Sequence, residues 1–197
     1  MQTNEFKSNS CEVRCYLFGQ DLIFRIVRDQ MKKRSIAALQ DRITYRAAGP
    51  EDEPFLMELY FSTRDDLAGL FTDQAQLRQM LRFQYDGQRT TYSQMYPEAS
   101  HDIVLLDEKP VGRFLVDRRR DSILGVDLAL VPAARGLGIG TLVLKRVMNE
   151  CSDRRVPFVF HVLKTNPAKR LYERLGCCVA GEDPTHFYME WKAKENE

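Results

Sequence analysis

From residue 43 to the C-terminal end, apolar and polar residues alternate in patterns that predict both strands and helices. Short apolar runs bounded by turn residues are typical of strands, and apolar residues repeating every three or four positions are typical of helices. The patterns predict strands at about 43–47, 102–106, 111–116, 122–130, 156–163, 177–181 and 186–191, and helices at about 50–64, 73–95, 139–151 and 166–175. The order β-α-α-β-β-β-α-β-α-β-β predicts an α/β (α+β) fold, with a mixed sheet and helices on both faces.

The second predicted helix carries an apolar and aromatic stripe. Such stripes usually face the core, although a partly exposed end can line a substrate site. The stripe consists of Leu77, Leu81, Tyr85, Tyr92 and Tyr96.

Residues 1–42 differ from the rest of the chain, because their apolar runs are not clearly bounded by turn residues. We predict that they form an N-terminal extension and that the folded domain occupies residues 43–197. Met31, followed by three basic residues, is an alternative translation start. The intact mass of the endogenous protein distinguishes the two starts, since a full-length mass excludes Met31.

Composition and charge describe an ordinary soluble domain. The 197 residues are 44% hydrophobic and 29% charged, with a net charge of +1. This near-neutral balance argues against nucleic acid as a partner, and we interpret the basic runs at 32–34 and 118–120 as solvated surface. We predict no membrane partner either, because no stretch reaches about 18 apolar residues.

The cysteines and histidines predict neither disulfides nor a metal site. The five cysteines are odd in number and contain no CxxC pair, and the three histidines lack metal-ligand spacing. This usage favours reduced thiols and a cytoplasmic location.

The segment "VDLALVPAARGLGIGTLVLKRVMNE" (126–150) places glycines at 136, 138 and 140 between a strand and a helix. The first N–H groups of a helix have no internal partner, and alternating glycines let neighbouring amides converge on one anion. The dinucleotide fingerprint does not fit, because Thr141 stands at its third glycine, and the P-loop pattern is absent. The spacing is instead R-x-x-G-x-G, formed by Arg135, Gly138 and Gly140.

This motif resembles the [QR]-x-x-G-x-[GA] signature of the GCN5-related N-acetyltransferase (GNAT) superfamily. "HVLKTNPAKRLYERLGC" (161–177) resembles the family's second segment, "ITYRAAGPEDEPFLMELY" its first strand and helix, and "KPVGRFLVD" its central hairpin. The likeness covers about 43–191, and the two motifs together are specific. One departure is Cys177-Cys178, where the family usually has phenylalanine, and we expect it to affect packing only.

The resemblance implies a mostly antiparallel sheet of six to seven strands, splayed between its two central strands. It also implies acetyl-CoA as the acetyl donor, with the pyrophosphate on the loop amides and the pantetheine arm against the preceding strand. The implied pyrophosphate residues are Arg135, Gly136, Leu137, Gly138, Ile139 and Gly140. The implied pantetheine residues are Leu128, Ala129 and Leu130.

Two residues of the second segment acquire roles from the same resemblance. Tyr172 matches the tyrosine that protonates the departing CoA thiolate, although it could instead be a core residue. Asn166 matches a residue that contacts the cofactor. Asn166 also suits the start of a helix, with Pro167 at the first helical position, and both roles can hold together.

The general base stays open between two residues. Asp127 lies in the apolar strand before the loop, where a carboxylate needs either an oppositely charged partner or a chemical role. The alternative to catalysis is a salt bridge to an arginine. His161 lies on the facing strand, and histidine is the residue type that most often serves as a general base. The alternative for His161 is an ordinary sheet histidine.

Taken together, the sequence predicts transfer of acetyl from acetyl-CoA to a primary amine, by direct attack in a ternary complex and without metal. The acceptor could be a small molecule, a peptide N-terminus or a protein lysine, and a homodimer is possible. An alternative is a non-catalytic acyl-CoA-binding sensor or scaffold. A toxin-like or tRNA-directed acetyltransferase fits less well, because the net charge of +1 gives no strongly basic surface.

Overall fold

The computed structural model describes residues 38–64, 67 and 71–193. The strands are β1 (Ile43–Ala47), β2 (Ser100–Leu106), β3 (Lys109–Arg118), β4 (Ile123–Leu130), β5 (Phe158–Leu163), β6 (Cys178–Glu182) and β7 (His186–Trp191). The helices are α1 (Glu53–Phe61), α2 (Gln74–Met95), α3 (Ile139–Arg154) and α4 (Lys169–Arg174). Short 3-10 turns precede α1 at Pro50–Asp52 and α3 at Pro132–Ala134.

The seven strands form one sheet in the order β1-β2-β3-β4-β5-β7-β6. Neighbouring strands are antiparallel except β4 and β5, which are parallel. The mixed, mostly antiparallel sheet predicted from the resemblance is therefore confirmed. The parallel pair requires a crossover connection, and α3 provides it.

Helices cover both faces of the sheet, as predicted. Successive residues of a strand point to opposite faces, and β2 shows this at two neighbouring buried positions. Ile103 packs with the buried residues of α1 and α2, whereas Val104 packs with those of α3. Leu171 and Tyr172 of α4 lie against the second of these clusters.

Most predicted elements are present, with small shifts at their ends. The predicted helix start, with Asn166 as N-cap and Pro167 as first residue, is wrong by two residues, because regular helix begins at Lys169 with Ala168 as N-cap. Asn166 still organises the entry, since its Oδ1 accepts a hydrogen bond from the N–H of Ala168 at 2.9 Å. Gly176 ends this segment with φ of +90°, a left-handed conformation that suits glycine.

The predicted extension lies mainly at residues 1–37, outside the described residues, so its role and the alternative start at Met31 stay predictions. Of the described residues before β1, Leu39 is buried and Arg42 forms an ion pair with Asp107. No helix within 38–64, 67 and 71–193 has the length and apolar character needed to cross a bilayer.

Candidate active site

The parallel strands β4 and β5 separate after a short paired region. Their register contains three residue pairs and ends at Gly125 and Phe160. Gly125 allows the strands to approach here, because a Cβ at this position would lie 2.8 Å from the ring of Phe158. Beyond this point the other edge of β4 stays paired with β3 up to Leu130. The expected splay is thus present, and the edge of β4 that faces β5 is left open.

A cavity of about 340 Å³ occupies this separation. Five of the predicted site residues line it together with residues of α2 and β7. The predicted residues are Asp127, Leu128, His161, Asn166 and Tyr172. Tyr92, Tyr96 and His186 also line the cavity. The end of the α2 stripe that carries Tyr92 and Tyr96 therefore contributes to the cavity wall.

Asp127 has the arginine partner that the sequence left as an alternative. Its Oδ2 accepts a hydrogen bond from Nε of Arg113 at 2.6 Å. The Asp127 side chain is 24% exposed, whereas that of Arg113 is only 8% exposed. Asp127 is therefore both salt-bridged and in contact with the cavity, and the ion pair alone does not exclude a chemical role.

His161 lies across the cavity from Asp127, on β5. Its side chain is exposed, and its ring lies 5.2 Å from that of Tyr188 on β7, measured between ring centroids. His161 and Tyr188 are register partners in the antiparallel β5–β7 pair. The structure thus puts both candidate bases on the cavity and leaves the choice between them open.

Tyr172 combines the two roles that the sequence proposed for it. Its ring packs against Phe160 with 4.5 Å between centroids, and it also lines the cavity. Burial, together with the nearby Asp127 and Cys177, raises the pKa of Tyr172 to about 12. Its hydroxyl is therefore protonated at neutral pH and can donate a proton.

The glycine loop forms the N-terminal end of α3. Gly136 and Gly138 have φ of +77° and +100°, and Gly138 is the N-cap of the helix. The following amides of α3 start a 16-residue helix, so their N–H groups and the helix dipole provide an anion site. Gly140 lies beside Leu171, and a Cβ at this position would make an ordinary contact with that side chain at 3.4 Å.

Arg135 fixes this loop with its side chain. Its Nε donates to the carbonyl oxygen of Leu130 and its Nη2 to that of Ser62, both at 2.9 Å. Ser62 is the C-cap of α1. The guanidinium therefore connects the end of β4 to α1, while the backbone of the loop is left for the anion.

The sequence missed three polar residues of the site. Arg113 and Gln88 form a hydrogen bond of 2.7 Å behind Asp127, and His186 lies at the start of β7 on the cavity. A single arginine within the apolar run "VGRFLV" of β3 was the only signal for this group. Cys177 is 4% exposed and belongs to the core, consistent with a packing role. Among the described residues, no group of histidine, cysteine and acidic side chains could hold a metal ion.

Several solved structures that are named as acetyltransferases share this architecture. The PaiA N-acetyltransferase of Thermoplasma acidophilum, solved with coenzyme A, superimposes with a TM-score of 0.60 at 20% identity, over 77% of this chain and 99% of the other. The ribosomal-protein-S18-alanine N-acetyltransferase of Escherichia coli gives a TM-score of 0.55 at 17% identity, over 79% and 98%. PH1933 of Pyrococcus horikoshii gives 0.61 at 15%, over 78% and 99%. At these identities the likeness shows the fold.

The fold and the cleft thus define an acetyltransferase architecture. Residues 98–176 match the family model of the acetyltransferase (GNAT) domain, a region that contains the glycine loop, both cleft strands and most of the second motif. Together with the shared fold, this match confirms the predicted resemblance to the GNAT superfamily. A search of curated protein sequences gives no significant match.

Proposed function

We propose that the protein transfers an acetyl group from acetyl-CoA to a primary amine. The observation that carries the proposal is the cleft between β4 and β5, where the open edge of β4 leads along the chain to the glycine loop and the cavity is lined by Asp127, His161 and Tyr172. The loop amides would bind the pyrophosphate, and residues 128–130 would hydrogen-bond the pantetheine arm as a strand does. Asn166 lies at the cavity and would contact the cofactor.

The proposed reaction is direct attack in a ternary complex. The amine nitrogen forms a bond to the thioester carbonyl carbon, the C–S bond breaks, and the proton of Tyr172 goes to the departing thiolate. Backbone N–H groups on the open edge of β4 would stabilise the oxyanion. The ammonium form of the amine loses two protons in the reaction. One would go to His161, to Asp127 or to water before the attack. The other, released as the amide forms, would return through solvent to Tyr172 and restore its hydroxyl.

Loss of the amine proton is the demanding step. A lysine-like amine with a pKa near 10.4 is neutral in only about 1 molecule in 2500 at pH 7, and deprotonation costs about 4.6 kcal/mol. A base, a water relay or a less basic amine must therefore contribute. The acceptor class is open among small-molecule amines, peptide N-termini and protein lysines. We propose a cytoplasmic location, since reduced thiols suit that compartment.

Donor binding is tested by thermal-shift titration with acetyl-CoA, CoA, NAD and ATP. A ligand at 100 times its dissociation constant adds about 2.7 kcal/mol to stability. Leu137 lies in the loop and is 48% exposed, so it can be replaced with little loss of packing. Leu137→Asp places a carboxylate beside the anion site and is expected to weaken binding of both CoA ligands at least about tenfold. Leu137→Asn is the matched uncharged control and should bind much as the wild type does.

Acetyl transfer is tested by CoA release with a panel of amines. The panel contains n-butylamine, spermidine, a peptide with a free N-terminus and an N-terminally blocked peptide with an internal lysine. Release above the blank rate with one of them, together with the acetylated product by mass spectrometry, supports the proposal. Binding of acetyl-CoA without release on a broadened panel would favour the non-catalytic module. A folded protein that responds to neither CoA ligand would overturn the proposal as a whole.

A further inference from the structure

Arg113 is unusual because it is a charged residue in the interior of the sheet. Among the residues of 38–64, 67 and 71–193, only Asp52 and Arg113 are classed as buried and charged. Asp52 is explained locally, since it accepts hydrogen bonds from Arg46 and from the N–H of Gly49. A buried guanidinium that lies behind a cleft needs its own explanation, because burial of a charge is costly unless the charge is compensated.

The contacts of Arg113 join two walls of the cleft. Nε donates to Oδ2 of Asp127 on β4 at 2.6 Å, and Nη2 donates to Oε1 of Gln88 on α2 at 2.7 Å. Gln88 lies one helical turn before Tyr92, which lines the cavity. The guanidinium therefore holds the carboxylate of Asp127 and the cavity-lining part of α2 in a fixed relation.

The charges of Arg113 and Asp127 act on the same neighbours in opposite directions. The pKa of Tyr92 is raised to about 12, mainly by burial, and within this shift Asp127 raises the pKa while Arg113 lowers it. Burial also lowers the pKa of His101 on β2, and here Arg113 adds to the effect while Asp127 opposes it. On the side of α4, Asp127 raises the pKa of Tyr172. The ion pair thus presents opposite charges to Tyr92 and His101, whereas Tyr172 is affected by the charge of Asp127.

We propose that Arg113 is a positioning residue that compensates the charge of Asp127, so that an amine bound in the cleft can lose its proton near neutral pH. This inference rests on the proposed acetyl transfer. A lone carboxylate within about 4–6 Å of an amine stabilises the ammonium form and raises the pKa of the amine by about 1–3 units. Pairing with a buried guanidinium removes most of this effect, while the carboxylate keeps its place in the cleft.

The first test is the pH dependence of kcat with the fastest amine of the panel named above, because kcat reports groups in the bound complex. Arg113→Met leaves Asp127 unpaired. We expect the acid limb of its profile to move to higher pH by about 1–2 units, and KM for the amine at pH 7 to fall, because the ammonium form now binds better. Arg113→Lys keeps the charge and should keep the limb within about half a unit of the wild type.

A second test needs no acceptor. The pKa of His101, followed by NMR of its imidazole, should rise in Arg113→Met. It should fall in Asp127→Asn, which keeps the guanidinium and loses the carboxylate charge. Arg119→Met is the matched control, since Arg119 pairs with Asp117 at the exposed end of β3 and should leave both readouts unchanged.

The outcomes separate this inference from the proposed function. If the wild type acetylates no amine, the proposed function fails and takes with it the part of the inference that concerns the amine. The His101 titration then tests the remaining part, that Arg113 compensates the charge of Asp127 in the cleft. If the wild type is active, a limb that does not move in a folded Arg113→Met protein overturns the inference. Should Arg113→Met not fold, Asp127→Asn carries the test, and a pKa of His101 that does not fall in this variant overturns the inference.

Discussion

Replacing Tyr172 with phenylalanine removes one hydroxyl group from the cleft and keeps the ring. The ring packs against Phe160 at 4.5 Å, so the packing contact survives the change. We therefore expect the free energy of unfolding to change by less than about 1 kcal/mol, and binding of acetyl-CoA to stay close to that of the wild type. The effect should fall on the chemical step, where the departing thiolate loses its proton donor.

The size of the effect follows from two pKa values. With a pKa of about 12, only about one Tyr172 hydroxyl in 10,000 is ionised at pH 8, so the acid is fully available. General acid–base catalysis typically contributes about 10²–10⁴-fold. A thiol near pKa 8.5 is a stable leaving group that needs little help, which favours the lower end of this range. We expect about a 100-fold loss in the rate of acetyl transfer, equivalent to about 2.7 kcal/mol.

The assay is single-turnover transfer from preformed acetyl-CoA complex to a saturating amine, so that product release does not hide the chemical step. Phe160→Leu is a control for altered packing of the ring and should reduce stability more than Tyr172→Phe does. A loss of less than about threefold in Tyr172→Phe, with normal cofactor binding, would refute the role of Tyr172 as the general acid.

Three further predictions concern stability, and all are measured by urea denaturation. Gly176→Ala should lower the free energy of unfolding by about 1–2 kcal/mol, because φ at this position is +90° while the space around a Cβ is adequate; an unchanged value contradicts this. Met189→Ala should cost about 2–5 kcal/mol, since the side chain is fully buried at the centre of the core, and a cost under 1 kcal/mol would show that the site collapses. The pKa values of Tyr85 and Tyr92 are raised from 10 to about 12, mainly by burial. The contribution of these two hydroxyls to the free energy of unfolding is therefore fully present below pH 10 and is lost as the pH rises from about 10 to 12. A free energy of unfolding that stays level over this range contradicts the raised pKa values.

The sequence predicted those features of the site that depend on local pattern. The glycine loop and α3 follow from a short motif and an apolar repeat, and α3 indeed buries Ile139, Val143, Val147 and Cys151. The proposed acid and cofactor residues were taken from two motifs a few tens of residues apart, and their roles stay predictions. Features of this kind can be predicted because neighbours in sequence set the local backbone.

The partner of Asp127 could not be predicted, because it depends on a register shift. Leu115 pairs with Asp127 and Val116 with Gly125, which leaves Val126 as an extra residue in β4. A one-residue shift moves every later side chain to the opposite face of a strand. The bulge therefore determines that Asp127 faces Arg113 and α2. The sequence pattern within β4 does not predict this bulge.

The three residue pairs that join β4 to β5 also divide the sheet into a four-stranded and a three-stranded part. This boundary between β4 and β5 has only three register pairs. Helix α3 spans the boundary, because it packs against strands on both sides. A molecule that binds along the open edge of β4 would contact both parts of the sheet and stabilise their relative position. We therefore expect amide hydrogens on both sides of the boundary to exchange more slowly when acetyl-CoA is bound, so that the occupied protein unfolds as a more cooperative unit than the empty one.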